Sequence, residues 1–194
     1  MAKTSSARQD LLDAGAELFR ERGYEGVGVA QLLETSGAPR GSLYFHFPGG
    51  KEQIGAEVVR LVGGRVAERF RQLGESGVDL DTYVERVFKA SAKEVKDRDF
   101  KACCPVAAIA GEVSHLSPQL VEAVRDVFAS WEAEIACAGE QRGMSAENAR
   151  TFASALLAAM EGASVVSKAQ GNIDAHVNAA RAMQALARAF VTTS

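Results

Sequence analysis

The chain is poor in cysteine, proline and histidine and carries no excess of positive charge, and each shortage narrows what it can be. Its three cysteines, Cys103, Cys104 and Cys137, are odd in number, and the adjacent pair lacks the two-residue separation of a metal claw or redox motif. A reducing compartment fits. The thiols read as small apolar residues of helices. A redox switch at Cys104 is the minor alternative, because Arg98 and Lys101 lie just upstream and can depress a thiol pKa. Three histidines, His46, His115 and His176, are scattered without metal-ligand spacing. There is no nucleophile elbow, phosphate loop or nucleotide fingerprint either. No catalytic residue, metal or cofactor is expected, and an enzyme is disfavoured.

No run of about 18 apolar residues is present to span a bilayer, and the start, Met1 to Ser6, lacks the apolar segment of a secretory signal. A cytoplasmic protein with no membrane partner is expected. The 22 Lys and Arg against 25 Asp and Glu give a net charge of −3, which argues against indiscriminate coating of nucleic acid but leaves specific binding open. The first 75 residues balance ten cations against ten anions, so placement matters more than total charge. Lys3, Arg8, Arg40, His46 and Lys51 are the cations able to share one face.

What is present is helix. Hydrophobic residues make up 47% of the chain and recur at helical spacings, with no convincing strand. Leu11, Leu12, Gly15, Leu18 and Phe19 form the stripe of a first helix over about 6–22, ended by Gly23. Short helices follow over 29–36 and 40–46. A long one runs from Lys51 to about Leu73, with Gly63-Gly64 inside it as a place to loosen or bend. Asp79 or Asp81 can cap a fifth helix carrying Tyr83, Val84, Val87 and Phe88. Pro105 opens a short sixth helix, Pro118 a seventh to about Gln141, Ser145 an eighth to about Gln170. After Gly171-Asn172 a last helix reaches about Val191. The count is nine, and the class is all-α.

Gly37 to Lys51, GAPRGSLYFHFPGGK, carries the chemistry. Gly37 can end one helix in the left-handed conformation, and Pro39 suits the start of the next. In that next helix Leu43 and Phe47 are four apart and can anchor inward. Arg40, Ser42, Tyr44, Phe45 and His46 are left on outer and flanking positions. Arg pairs with guanine edges or phosphates, Ser and Tyr hydroxyls suit phosphate oxygens, and Phe45 can pack on a sugar or a thymine methyl. This describes a helix-turn-helix over about 28–47.

With Gly37, Gly41, Ser42-Leu43-Tyr44, His46-Phe47 and Lys51-Glu52 in register, residues 5 to 65 resemble the tetracycline-repressor (TetR) family of bacterial transcription regulators. Ala38 to Ser42 and the long Pro48-Gly49-Gly50 insertion resemble its LmrA/YxaF-like branch. One departure weakens the pattern. Val27-Gly28 stands where the family usually has a hydroxyl residue that caps the second helix and touches a phosphate, so the cap falls to the Gly28 backbone or to water.

The resemblance implies a nine-helix fold with a DNA-binding domain over 1–50 and a ligand-binding and dimerisation domain over 51–194. It implies operator contacts from Arg40, Gly41, Ser42, Tyr44, Phe45, His46 and Lys51. It also implies a homodimer through the last two helices, about 145–170 and 173–191, whose alanine-rich faces allow close approach while Phe152, Leu156, Met160, Met183, Leu186 and Phe190 supply larger knobs. A small apolar or aromatic effector is expected among Phe88, Cys104, Ile109, Phe128, Trp131 and Met160, with Glu112, His115 and Arg125 as polar candidates to orient it. The function implied is a ligand-responsive regulator that represses until the effector releases it. The competing reading is a helical small-molecule-binding or adaptor protein that has lost DNA recognition.

Overall fold

The computed structural model describes residues 2–112 and 117–191, and the side chains from Ala7 onward. Nine helices occur among the described residues: α1 (Ala2–Arg22), α2 (Val29–Ser36), α3 (Arg40–His46), α4 (Gly50–Glu75), α5 (Leu80–Asp97), α6 (Pro105–Ala110), α7 (Pro118–Glu140), α8 (Ala146–Gln170) and α9 (Asp174–Phe190). The fold is all-α; the one β-type pairing among the described residues is an isolated bridge between Met144 and Val191. No described helix is long and apolar enough to cross a membrane. Nor do the described residues group three His, Cys, Asp or Glu side chains in a way that could hold a metal ion.

The chain forms two compact units. Met1–Gly64 with Cys104–Val127 make the first, and Arg65–Cys103 with Phe128–Ser194 make the second. In the first, Leu11, Phe19, Leu32, Leu43, Phe47 and Ile54 are fully buried. Gly15 is the point where α1 meets α4, because a Cβ there would lie 3.1 Å from a Val58 methyl and 3.2 Å from one of Ile54. The glycine pair in α4 does not break the helix. Instead, a Cβ on Gly63 would sit 2.5 Å from both γ-carbons of Val127, so this glycine makes room for α7, while Gly64 faces open space.

The second unit packs Tyr83, Phe88, Trp131, Phe152 and Leu156 in its core, with Phe70 and Phe128 edge-on to Trp131 at 6.3 and 5.5 Å between ring centres. Asp79 caps α5 as its spacing suggested, accepting the Thr82 amide at 2.8 Å. The Arg142 guanidinium ties the end of α7 to the α4–α5 link by donating to the carbonyls of Ala138, Gly74 and Val78 at 2.8, 2.7 and 2.6 Å. Those carbonyls belong to two helix ends and a loop, where no further helical turn follows to supply an amide.

Polar chemistry also enters this core. His176 is 1% exposed; its Nδ1 lies 2.9 Å from the Ser167 hydroxyl, and its Nε2 lies 3.1 and 3.3 Å from those of Ser91 and Ser164. The knot joins α5, α8 and α9 without leaving a ring nitrogen unpaired, which is how a core tolerates a histidine. The knobs Phe152, Leu156, Met160 and Met183, expected at a subunit interface, are buried within the single chain. What α8 leaves exposed between Thr151 and Ala169 is Thr151, Ser154, Ala158, Gly162, Val165, Val166 and Ala169, none of them charged.

Candidate nucleic-acid interface

The helix-turn-helix is built from α2 and α3. Gly28 caps α2 without a side chain, and its own amide donates to Gln31 Oε1 at 3.0 Å, half of a capping box. Val27 is buried instead of facing a phosphate, at 1% exposure. Gly37 closes α2 with φ of +65°, the left-handed geometry that costs a side chain steric energy. The Ser36 hydroxyl braces the turn, accepting the Ala38 amide at 3.2 Å and donating to the Leu33 carbonyl at 3.2 Å. Pro39 then starts α3, with the Ser42 amide donating to its carbonyl at 2.8 Å.

Leu43 and Phe47 anchor α3 inward with no exposed surface, as their spacing requires. On the outside lie Arg40, Gly41, Tyr44 and Phe45, with Ser42 and His46 half-buried. Phe45 is 73% exposed and Tyr44 50%, the largest aromatic surfaces this unit shows to solvent. His46 stands edge-on to Phe45 at 5.0 Å, and its Nε2 is buried with no hydrogen-bond partner among the described residues. That nitrogen does not reach out toward a nucleic acid.

The cations divide by role. Arg40 is exposed and has no ion pair among the described residues. Arg8 pairs with Glu57 and stacks its guanidinium over Phe47 at 5.4 Å, so it fastens α1 to α4 and to the end of α3. Lys51 places its Nζ 4.0 Å from the centre of the Tyr24 ring. Burial, followed by the charges of Glu52 and Glu25, pushes the Tyr24 hydroxyl up to about 12, keeping it protonated. Lys3 and His115 lie outside the described side chains.

Glu112 was a candidate to orient a ligand. The structure puts its Oε2 on the Glu25 amide, 2.8 Å away, in the turn between α1 and α2. Gly23 in the same turn has φ of +74°, and a Cβ on it would lie 2.1 Å from Glu112 Oε1. Spacing along the chain gives no hint of a contact across 87 residues. The sequence reading missed Gln31, although its place three residues after Gly28 is the capping-box spacing that could have found it.

A family model for the N-terminal region of bacterial regulatory proteins of the tetR family matches residues 11–58, and one described as transcriptional regulator LmrA/YxaF-like, C-terminal domain, matches 82–182. The chain belongs to the TetR family. In Bacillus subtilis the HTH-type transcriptional regulator LmrA is 30% identical over 161 residues, covering 83% of this chain and 86% of LmrA. YxaF of the same organism is 29% identical over 167 residues, covering 86% and 87%. Among solved structures, a TetR regulatory protein from Rhodobacter sphaeroides superposes with a TM-score of 0.84 at 23% identity, over 93% of this chain and 98% of that one. A TetR regulator from Chloroflexus aurantiacus gives 0.81 at 25%, over the whole of both.

This TetR-family chain is therefore a helix-turn-helix transcriptional regulator and not an enzyme; such regulators bind operator DNA, dimerise and are typically ligand-responsive repressors. The six residues expected around an effector fall in both units. Cys104 and Ile109 belong to the first; Phe88, Phe128, Trp131 and Met160 belong to the second. Phe88, Ile109, Trp131 and Met160 are buried, and Phe128 and Cys104 are half-buried. Phe88 lines a cavity of about 310 Å³ beside α5 and α9, and the other five are not among the residues that line that cavity. Arg125 is exposed on α7.

Proposed function

We propose that the chain is a cytoplasmic repressor that grips its operator with Arg40, Gly41, Ser42, Tyr44, Phe45, His46 and Lys51 and lets go when a small apolar or aromatic effector binds residues 51–194. The observation that carries the operator-facing part is the pair of exposed aromatic side chains, Tyr44 and Phe45, on a helix locked by the buried Leu43 and Phe47. Solvent-facing aromatics on a rigid short helix are costly unless something covers them. Base edges, methyls and sugars do so. Arg40 supplies the guanine or phosphate contact, and the Tyr24 ring steers Lys51 toward a phosphate. His46 contributes through its ring face and Nδ1.

The self-association surface is assigned to α8 and α9. The uncharged stripe from Thr151 to Ala169 on α8, continued by Asn178, Ala182, Ala185 and Ala189 on α9, allows two helix pairs to approach closely. A twofold dimer of this kind sets two copies of α3 about 34–36 Å apart, one for each successive major groove. Val165→Asp, at a position 57% exposed in the single chain, is expected to leave the fold intact and give monomers in sedimentation.

Footprinting on the DNA flanking the coding region identifies the operator. Mobility shifts then compare the wild type with Arg40→Ala and Tyr44→Ala, each expected to weaken binding by about 1–3 kcal/mol. Affinity is expected to fall steeply with salt. Undiminished binding by both variants would sink the assignment of α3.

A further inference from the structure

We propose that the groove between α5 and α9 binds a small amphiphilic carboxylate, its apolar body against Phe88 and its carboxylate on Arg181. The cavity, about 310 Å³, is at the lower end of the range that small-molecule sites occupy. Its walls are apolar: Phe88 and Ala92 from α5, Ile173 at the N-cap of α9, and Val177 and Ala180 from α9. Val177 is 41% exposed beside the opening, so apolar surface continues to the rim. His176 also lines the cavity, yet both of its ring nitrogens are taken by serine hydroxyls, so it offers a ligand ring surface and no free hydrogen-bonding atom.

Selectivity therefore rests on the rim. Glu85 and Lys89 pair with each other, Oε1 to Nζ at 2.6 Å, and cancel. Of the two α9 arginines in the described structure, Arg188 is paired with Asp81 at 2.6 Å, and Arg181, on the cavity rim, has no ion pair among the described residues. The Gln184 amide is likewise engaged, donating to the Asp81 carbonyl at 3.0 Å. One guanidinium above an apolar slot selects a carboxylate, which it can hold through two parallel hydrogen bonds. A cation meets Glu85 already neutralised. The proposal rests on the effector-responsive reading only where it links occupancy to operator release.

The test titrates the full chain with 2-naphthoate and with octanoate, and with their neutral amides, by isothermal titration calorimetry. Saturable binding of at least one carboxylate is expected, with its amide about tenfold weaker. Arg181→Gln is expected to erase the difference between acid and amide, and Ala180→Phe to fill the slot and abolish binding. Both variants should still shift the operator, which shows that they fold. No saturable heat from either carboxylate, equal affinity for acid and amide in the wild type, or undisturbed binding by Ala180→Phe would each overturn the site. Release of the operator by the bound carboxylate supports the regulatory link, and unchanged operator affinity overturns it. A wild type that binds no operator at all would sink the regulator reading while leaving the calorimetric result to stand.

Discussion

Gly63 and Gly64 are neighbours in α4, and replacing each by alanine is expected to move stability in different directions. Alanine gains about 0.8–1 kcal/mol over glycine in a helix interior through backbone entropy. At Gly64 nothing lies within 4 Å of the added Cβ, so that gain is the whole effect. At Gly63 the Cβ would sit 2.5 Å from both γ-carbons of Val127. Val127 is 6% exposed and β-branched, with little freedom to rotate away. Overpacking of this kind costs about 1–3 kcal/mol. The net for Gly63→Ala runs from about zero to 2 kcal/mol destabilising, leaving the two variants about 1–3 kcal/mol apart. Urea melts at one fixed protomer concentration measure this, because self-association makes midpoints concentration-dependent. The double variant Gly63→Ala/Val127→Ala should be more stable than the sum of its single changes, since the clash is shared. Equal stabilisation by Gly63→Ala and Gly64→Ala would refute the reasoning.

Leu43 and Phe45 separate folding from recognition: Leu43→Ala is expected to cost about 2–5 kcal/mol of stability. Phe45→Ala should stay within about 0.5 kcal/mol in melts and still weaken operator binding by about 1–3 kcal/mol; a destabilised Phe45→Ala contradicts the exposure of that ring. Burial holds the His176 imidazole below its ordinary value, so the unfolded chain takes up a proton that the folded chain resists. Stability should therefore decline as pH falls through the unfolded value of about 6.5 and level off below the folded value. His176→Asn should flatten that slope, and parallel pH profiles for the two proteins would rule it out. Glu112→Ala removes the acceptor of the Glu25 amide, and hydrogen exchange at Glu25 should speed up by about 1 kcal/mol of lost protection. Unchanged exchange there means the carboxylate does not hold the turn.

The helix-turn-helix was legible because its signals are local. The bounds of α2 and α3 match the spacing of Leu32, Leu43 and Phe47 and the break at Gly37-Pro39. Capping at Asp79 and Ser145 was readable for the same reason, since each acts three residues away. What stayed hidden involves partners distant in the chain. Periodicity grouped Phe152, Leu156 and Met160 as knobs and they were expected between subunits, whereas the fold buries them within their own protomer. It could not tell that Gly63 accommodates Val127, where a bend was expected. The Glu112 carboxylate shows the same limit. Its charge suggested a ligand, and only the fold brings it to the α1–α2 turn. The residues expected around an effector share size and apolarity, which select core positions in both units alike, whereas Arg181 and Val177 stand out only once their exposure is known.

The uncharged exposed face of α8 has a consequence for how the molecule responds to its surroundings. If subunits pair through the face proposed above, with Ser154, Ala158, Gly162, Val165 and Ala169 exposed on α8, that part of the contact has no ion pairs to screen, and added salt is expected to leave self-association nearly untouched or to favour it. The operator contacts depend on phosphate charge and weaken with every increment of salt. Ionic strength thus separates two equilibria that share one chain, leaving an intact pair of subunits free of DNA. The same face, lacking charge, has only shape with which to refuse a related chain as partner.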